Sequence, residues 1–226
     1  MKYRPAIQKT LLLFLALSAL QLSLRAQEQA VKPKGLYSSE FDIDSITRNI
    51  TFYIPAAYGK KESYPLVFFL HAEGEAGKTV IKKYGDKIQR LADSSDCIIV
   101  YPDAVKGHWN TETGPRAATD TINDAGFINI MIDYFIQQYY CDRDKIFVAG
   151  FYAGGDMAWH LGCDASGRIA AIAPFSIIMP VEMQYCSLHT NMAVFNAAKF
   201  MTQSPKKLDD NAITAAFNFL LAHGKD

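Results

Sequence analysis

The pattern with the clearest chemical meaning is Gly150-Phe151-Tyr152-Ala153-Gly154, which Gly155 follows. The run 145–149 predicts a buried strand before this pattern, and residues 155–161 predict a helix after it. A G-x-S-x-G sequence between a strand and a helix forms a sharp turn that exposes a nucleophilic serine. Glycines flank such a turn because backbone and side chains come too close for a Cβ atom. In this chain Tyr152 occupies the position of the nucleophile.

Tyr152 is a poor replacement for a serine nucleophile. A phenol holds its proton at neutral pH unless a base takes it, and no base stands beside Tyr152 in the sequence. Tyrosine nucleophiles do exist, so the residue type alone does not exclude catalysis. In triad enzymes the loss of the nucleophile lowers turnover on the order of a million-fold, and binding alone leaves roughly 10³–10⁴-fold acceleration over water.

The histidines and cysteines show no metal-site spacing. The five histidines (71, 108, 160, 189 and 223) form no H-x-H or H-E-x-x-H pair, and the four cysteines (97, 141, 163 and 186) form no C-x-x-C pair. We therefore expect no metal and no cofactor. His223 lies at the end of a predicted final helix, where the helix dipole explains it.

Short apolar runs and helical periodicity indicate how this turn is positioned. Two β-rich runs separated by Asp44-Ser45 predict an antiparallel hairpin, and five nearly continuous apolar runs predict strands buried on both faces. Apolar residues at i, i+3, i+4 and i+7 predict helices between them. This alternation predicts an open, mostly parallel sheet with helices on both faces. The predicted strands are 37–42, 48–54, 66–70, 98–101, 146–149, 170–173 and 192–195, and the further helices are 79–94, 121–139 and 210–223.

The composition is that of a globular protein. The chain has 226 residues, of which 50% are hydrophobic and 20% charged, enough to fill the core of one large domain. Lys+Arg and Asp+Glu each number 23. Because the charges balance, no strong field favours nucleic acid or an anionic membrane as a partner.

The N-terminus has the pattern of a secretory signal peptide. Lys2, Arg4 and Lys9 precede an uncharged apolar run at 11–20, which is short for a membrane span. We expect a signal peptide over 1–26, with an uncleaved anchor as the alternative. A flexible lead over 27–36 and a single domain over 37–226 would follow. The mature protein is then secreted or periplasmic, does not contact the membrane, and is free to form disulfides.

Seven segments, in order along the chain, carry a family resemblance. They are 48–58, 65–71, 98–104, 108–110, 123–127, 142–155 and 161–174. Together these segments resemble the polyhydroxybutyrate depolymerase and feruloyl esterase family of secreted α/β-hydrolases. The resemblance implies an α/β-hydrolase fold that is shortened at its C-terminal end, with serine esterase ancestry and no cofactor.

The chain departs from this family at each catalytic point. Tyr152 replaces the serine, and Ala72 replaces the glycine after His71. Residues 196–200 supply no carboxylate where the family has its triad acid, and only 25 residues follow Met201, where the catalytic histidine would need dozens. The resemblance thus implies a catalytically inactive homologue that keeps a site for an ester- or carbohydrate-bearing ligand. An active carboxylesterase with another residue set and a remnant without any ligand are the alternatives.

The resemblance also places the candidate pocket. Its residues are His71, Ala72, Glu73, Trp109, Tyr152 and Ala153, and its expected ligand is a small molecule, a polysaccharide or a polyester. His71 would hydrogen-bond loop backbone. Glu73 would either repel a developing oxyanion or be an ordinary solvated loop residue. Trp109 would either stack on a sugar or aromatic ring or pack within its loop.

Three further residues are assigned by position in the family. Cys163 and Cys186 bracket the strand after the elbow helix, as paired cysteines do in relatives, which implies a disulfide between them. Asp124 opens a predicted helix and matches an acid of the family. We interpret it as a first-turn acid that bonds backbone amides.

Overall fold

The computed structural model describes residues 33–111, 121–164, 167–175, 191–192 and 210–225. Within these ranges the chain forms one seven-stranded sheet in the order β1-β2-β4-β3-β5-β6-β7, covered by four α-helices. The strands are β1 (Gly35–Ile43), β2 (Ile46–Ile54), β3 (Tyr64–Leu70), β4 (Ile98–Pro102), β5 (Cys141–Phe151), β6 (Ala171–Phe175) and β7 (Asn191–Met192). The helices are α1 (Gly77–Ser95), α2 (Asp124–Tyr139), α3 (Ala153–Asp164) and α4 (Asp210–Leu221).

The predicted mostly parallel sheet with an N-terminal hairpin is confirmed. β1 pairs with β2, and β2 with β4, in antiparallel register, whereas the pairs from β4 to β7 are all parallel. β1 begins at Gly35, so the last two residues of the predicted flexible lead belong to the sheet. Gly35 and Leu36 pair with the end of β2. The types of these two residues alone do not indicate a strand. No helix in the described part of the chain is long and apolar enough to cross a membrane.

The hairpin turn consists of Asp44 and Ser45, both at positive φ (52° and 62°). Two positive φ angles in a two-residue loop are the type I′ geometry, whose twist matches that of the flanking strands. A left-handed conformation is unfavourable for a residue with a Cβ atom, and Ser45 therefore carries a local cost.

We expect Ser45→Gly to raise the free energy of unfolding by about 0.5–1 kcal/mol, because glycine adopts positive φ without steric cost. Urea unfolding of the two proteins measures the change. Ser39→Gly is the matched control, since Ser39 pairs with Ile50 inside β1 and glycine there should destabilise the strand. A lower urea midpoint for Ser45→Gly would contradict the assigned turn.

The core lies on both faces of the sheet, as a doubly covered sheet requires. One cluster joins Leu66 and Phe68 of β3 to α2 and α3, and the other joins Val67 and Phe69 to α1 and α4. Both faces of β3 are therefore buried, which explains its continuous apolar sequence. The free thiols are divided between the clusters, with Cys141 in the first and Cys97 in the second.

The parallel strands end at one edge of the sheet, which we call the carboxyl-terminal edge. β3, β4, β5 and β6 end there at Leu70, Pro102, Phe151 and Phe175. The loops 71–76 and 103–110 and the turn at Tyr152 start from this edge. In open α/β sheets ligands bind in the crevice outside the carboxyl ends of the strands. The topology thus brings the predicted pocket residues to the expected location.

Candidate active site

Tyr152 is the single residue between β5 and α3. Its φ is 52°, so the left-handed backbone that the elbow predicts is confirmed. Its N–H donates to the carbonyl of Phe175 (2.9 Å), and its carbonyl accepts from the N–H of Asp156 (2.9 Å). These bonds fix the turn between β6 and the first turn of the helix. The residue is 42% exposed, the partly solvated position of an elbow residue.

The elbow glycines are required by close packing. A Cβ atom on Gly150 would lie 2.0 Å from the carbonyl oxygen of Gly154 and 2.8 Å from the nitrogen of Gly155. A Cβ atom on Gly154 would lie 2.5 Å from the carbonyl oxygens of Leu70 and His71. The G-x-x-x-G spacing therefore reflects contact of the elbow with its own helix and with the end of β3.

His71 is buried at the end of β3 and bonds loop backbone, the role expected for it. Its Nε2 accepts from the N–H of Ala104 (3.0 Å), so Nδ1 carries the proton and donates to the carbonyl of Ala72 (2.8 Å). Burial keeps the pKa of His71 below its ordinary value. A neutral imidazole with both nitrogens bonded cannot act as a general base for Tyr152.

Trp109 packs within its loop and does not offer a stacking platform. Its indole N–H donates to the carbonyl of His71 (2.9 Å), and its ring lies 4.8 Å from the imidazole, centre to centre. Only 8% of the residue is exposed. The sugar-stacking alternative for Trp109 is therefore wrong, because the apolar faces of its ring are covered.

Glu73 and His108 form a pair that sequence reasoning missed. His108 Nδ1 lies 2.6 Å from Glu73 Oε1, and the side chains are 41% and 46% exposed, respectively. The N–H of Gly74 donates to the carbonyl of Gly107 (2.9 Å) and joins the same two loops. The residues are 35 positions apart, and only the pairing of β3 with β4 brings their loops together.

Three of the other described acids at this edge have partners, whereas Asp156, in the first turn of α3, has a buried carboxylate oxygen (Oδ1) without a hydrogen bond. Asp103 accepts from the N–H of Gly77 (2.7 Å), and Glu75 pairs with Lys83.

Asp124 does accept a backbone amide, that of Asn110 (2.7 Å), but its main partner is the guanidinium of Arg48 at 2.5 Å. The interpretation of Asp124 as a first-turn acid that bonds a backbone amide is confirmed, and the structure adds the arginine as a second partner. The arginine comes from β2, 76 residues away.

No family model matches the chain. It is 25% identical to feruloyl esterase D of Neurospora crassa over 146 residues, which cover 60% of this chain and 47% of the relative. It is also 25% identical to a probable feruloyl esterase C of Aspergillus niger over 134 residues, which cover 57% of this chain and 46% of the relative. The chain thus spans about half the length of these curated relatives.

The fold comparison points the same way. A solved ferulic acid esterase superposes with a TM-score of 0.53 at 23% identity, covering 66% of this chain and 60% of the esterase. A thermostable esterase superposes with a TM-score of 0.58 at 15% identity, covering 84% of this chain and 63% of the esterase. The chain has a shortened α/β-hydrolase fold and is similar in sequence to esterases. The feruloyl esterase part of the predicted resemblance is supported, and the polyhydroxybutyrate depolymerase part stays a prediction.

In this α/β-hydrolase fold His223 lies at the opposite edge of the sheet from the elbow. Its Nδ1 donates to the carbonyl of Phe219 (2.7 Å), at the end of α4. Two residues later, the N–H of Lys225 donates to the carbonyl of Asp144 near the start of β5. The strand from 144 to 152 spans roughly 25 Å, so His223 cannot serve the elbow.

Several predictions for this chain lie wholly or partly outside the described residues. They concern the signal peptide over 1–26, most of the lead over 27–36, Cys186 as the partner of Cys163, and the segment 193–201 in which the family has its triad acid. The Cys163–Cys186 bridge stays a prediction. Ala153 opens α3 and packs partly buried against the first core cluster.

Proposed function

We propose that this α/β-hydrolase is an exported, non-catalytic relative of the esterases that binds a ligand at its elbow. The observation that carries the proposal is Tyr152 in an otherwise complete elbow. The glycine contacts and the positive φ are those of a nucleophile turn, whereas the residue displayed on it is a phenol. Export rests on the predicted signal peptide.

The surroundings of Tyr152 support the loss of triad chemistry. No side chain in the described ranges hydrogen-bonds its hydroxyl group. His71 is neutral and bonded at both nitrogens, and Asp124 is held by Arg48. A hydroxyl group without a base and an orienting acid is a weak nucleophile at neutral pH.

The loop after β3 also disfavours ester hydrolysis. In the esterases this loop supplies a donor to the oxyanion. Here it carries the half-exposed Glu73, two residues after His71, and a negative charge near the reacting group would raise the energy of a developing oxyanion. The same carboxylate is compatible with binding a ligand that brings hydrogen-bond donors.

Backbone strain at Tyr152 supports a retained ligand site. A bulky residue at positive φ costs about 1–3 kcal/mol, and such strain persists mainly at functional sites. A remnant without a ligand would gain stability by losing the elbow conformation. The ligand classes compatible with the family are small esters, polysaccharides and polyesters.

A second candidate is an active hydrolase with another residue set, and one observation favours it. Glu73 bonds His108 through Nδ1, the same nitrogen that the acid of a triad holds. His108 Nε2 would then be the basic atom.

We expect Tyr152→Ser to hydrolyse a nitrophenyl ester at a rate within about tenfold of that of the parent protein. The change restores a hydroxyl group but supplies no base. A working triad would raise the rate by many orders of magnitude. Steady-state hydrolysis and labelling by a serine-hydrolase phosphonate measure this. Tyr140→Ser is the matched control. Tyr140 has the same φ as Tyr152 (52°) and a similar exposure (47%), but it lies at the start of β5, away from the elbow.

A thousandfold gain in Tyr152→Ser that His108→Ala abolishes would replace the non-catalytic proposal with the second candidate. Ligand binding is tested separately, by thermal unfolding with oligosaccharides and hydroxycinnamate esters. A ligand that binds only the native state must raise the midpoint. The absence of a shift with every ligand of both classes would favour a remnant.

A further inference from the structure

We propose that β1 pairs with β1 of a second copy of this chain, in an antiparallel register centred on Ser39. β1 is the first strand in the sheet order and pairs with β2. No strand in the described part of the chain lies on its other side. An edge strand presents a row of backbone N–H and C=O groups that can pair with another chain. This interaction surface is independent of the elbow and of its proposed ligand.

β1 lacks the usual features that protect an edge strand. It has nine residues, whereas strands are most often about five or six residues long. It pairs with β2 along its full length without a bulge, and it contains neither proline nor lysine. Its two charged residues, Glu40 and Asp42, lie on the exposed face of a strand whose burial alternates at every position.

The hairpin turn determines which backbone groups face the free edge. In a hairpin with a two-residue loop, the residues that flank the loop form a hydrogen-bonded pair, here Ile43 and Ile46. Hydrogen-bonded and non-hydrogen-bonded pairs alternate along an antiparallel ladder. The N–H and C=O groups of residues 36, 38, 40 and 42 therefore point away from β2.

A two-fold axis at Ser39 matches these outward groups with one another. It places Ser38 opposite Glu40 of the second copy and Leu36 opposite Asp42, and each pairing occurs twice by symmetry. All four residues then form hydrogen-bonded pairs, and no acid lies directly opposite another acid. A two-fold axis at Glu40 would instead place that carboxylate opposite its own copy. The charges of β1 therefore favour the register at Ser39.

The other face of β1 adds aromatic pairs to this register. The axis at Ser39 places Tyr37 opposite Phe41 of the second copy, again twice by symmetry. Both rings already pack, half-buried, against the first core cluster. Aromatic pairs directly opposite each other stabilise antiparallel strands. The strand is thus complementary to itself on both faces.

Two exposed apolar side chains lie beside the same edge. Large hydrophobic residues are exposed at four positions within the described ranges, and two of these are Leu36 and Ile130. Leu36 belongs to β1 itself. Ile130 lies one turn before Tyr134 on α2, and the ring of Tyr134 lies 4.9 Å from that of Phe41 on β1, centre to centre. A second copy at this edge would reduce the exposure of both side chains.

The pairing leaves the elbow open in both copies. The elbow follows β5, and β2, β4 and β3 separate β5 from β1 in the sheet. A two-fold axis normal to the sheet reverses the direction of every strand. The carboxyl-terminal edges of the two copies would therefore face opposite directions. A closed two-fold contact also uses the β1 edge of each copy, so no third copy can add there.

Sedimentation equilibrium of the full mature chain, between about 1 and 300 μM, tests this proposal. We expect the mass to rise with concentration from one copy to two and no further. Ser38→Lys would place a cation opposite Glu40 of the second copy, whereas Ser38→Glu would place an acid there. We expect the first to tighten and the second to weaken the dimer dissociation constant by about three- to tenfold, since each charge pair occurs twice.

Two sets of controls isolate the effect of this pairing. Asn218→Lys and Asn218→Glu make the same charge changes at an exposed position of α4, and we expect each to change the constant by less than about twofold. Ser38→Ala removes the hydroxyl group that lies 3.3 Å from Thr51 Oγ1 and introduces no charge. Thermal midpoints establish that all variants are folded.

Three results would overturn the proposal. A mass of one copy at every concentration would exclude a second copy as the occupant of this edge. A dimer that responds to the Ser38 changes no more than to the Asn218 changes would form at another surface. If Ser38→Lys and Ser38→Glu both weakened the dimer, Ser38 would lie opposite its own copy and the register at Ser39 would be wrong.

Discussion

Arg48→Met lowers the free energy of unfolding by about 3–5 kcal/mol, because it removes the cation that is paired with the buried carboxylate of Asp124. Arg48 Nη2 lies 2.5 Å from Asp124 Oδ1, and both side chains are almost completely buried. The guanidinium also lies over the ring of Phe127 (3.9 Å) and donates to the carbonyl of Asp103 (3.3 Å). The pair thus joins β2, the loop after β4 and the first turn of α2.

Urea unfolding measures this effect, and a matched control comes from the surface. Lys61 and Asp96 form an ion pair with an exposed lysine, so Lys61→Met should change stability by at most about 1 kcal/mol. The double variant Arg48→Met/Asp124→Leu removes both charges and should recover much of the loss. If Arg48→Met were as mild as Lys61→Met, the buried pair would not hold the loop as inferred.

Gly150→Ala should cost about 3 kcal/mol or more, or prevent folding, because its Cβ atom would lie 2.0 Å from a backbone carbonyl of α3. Backbone atoms of a buried strand and helix cannot move aside as a flexible side chain can. Gly167→Ala is the control, since its Cβ atom would meet nothing within 4 Å.

The yield of soluble protein and the urea midpoint together measure the effect of Gly150→Ala. A yield and midpoint equal to those of Gly167→Ala would mean that the elbow is not packed as described. Gly154→Ala provides an independent test, because its clash is with the carbonyls of Leu70 and His71 at the end of β3.

The sheet and its helices could be predicted because their signals are local. Each central strand is a short apolar run, and each predicted helix has its apolar residues on one face. The first half of β5 was missed because residues 142–145 are charged and polar, and pairing of Tyr64 with Cys141 overrides their composition. The elbow was predictable for a similar reason, since its glycines and strand–helix context lie within a dozen residues.

The site was only partly predictable because its contacts join distant positions. Trp109 packs in its loop instead of stacking on a ligand because its indole N–H bonds a carbonyl that is 38 residues away in the sequence. The partner of His108 is 35 residues away, and that of Asp124 is 76. No periodicity or motif connects such positions, and only the order of strands in the sheet does.

Within the described residues, the two free thiols lie on opposite faces of the sheet and serve as a pair of internal reporters. Burial raises the pKa of both Cys97 and Cys141, so neither reacts while its layer is closed. Cys97 is shielded with α1 and α4, and Cys141 with α2 and α3. Alkylation of one thiol before the other would therefore identify which helical layer separates first from the sheet. Each half of the hydrophobic core thus contains a native thiol whose alkylation rate measures local opening, without any engineered label.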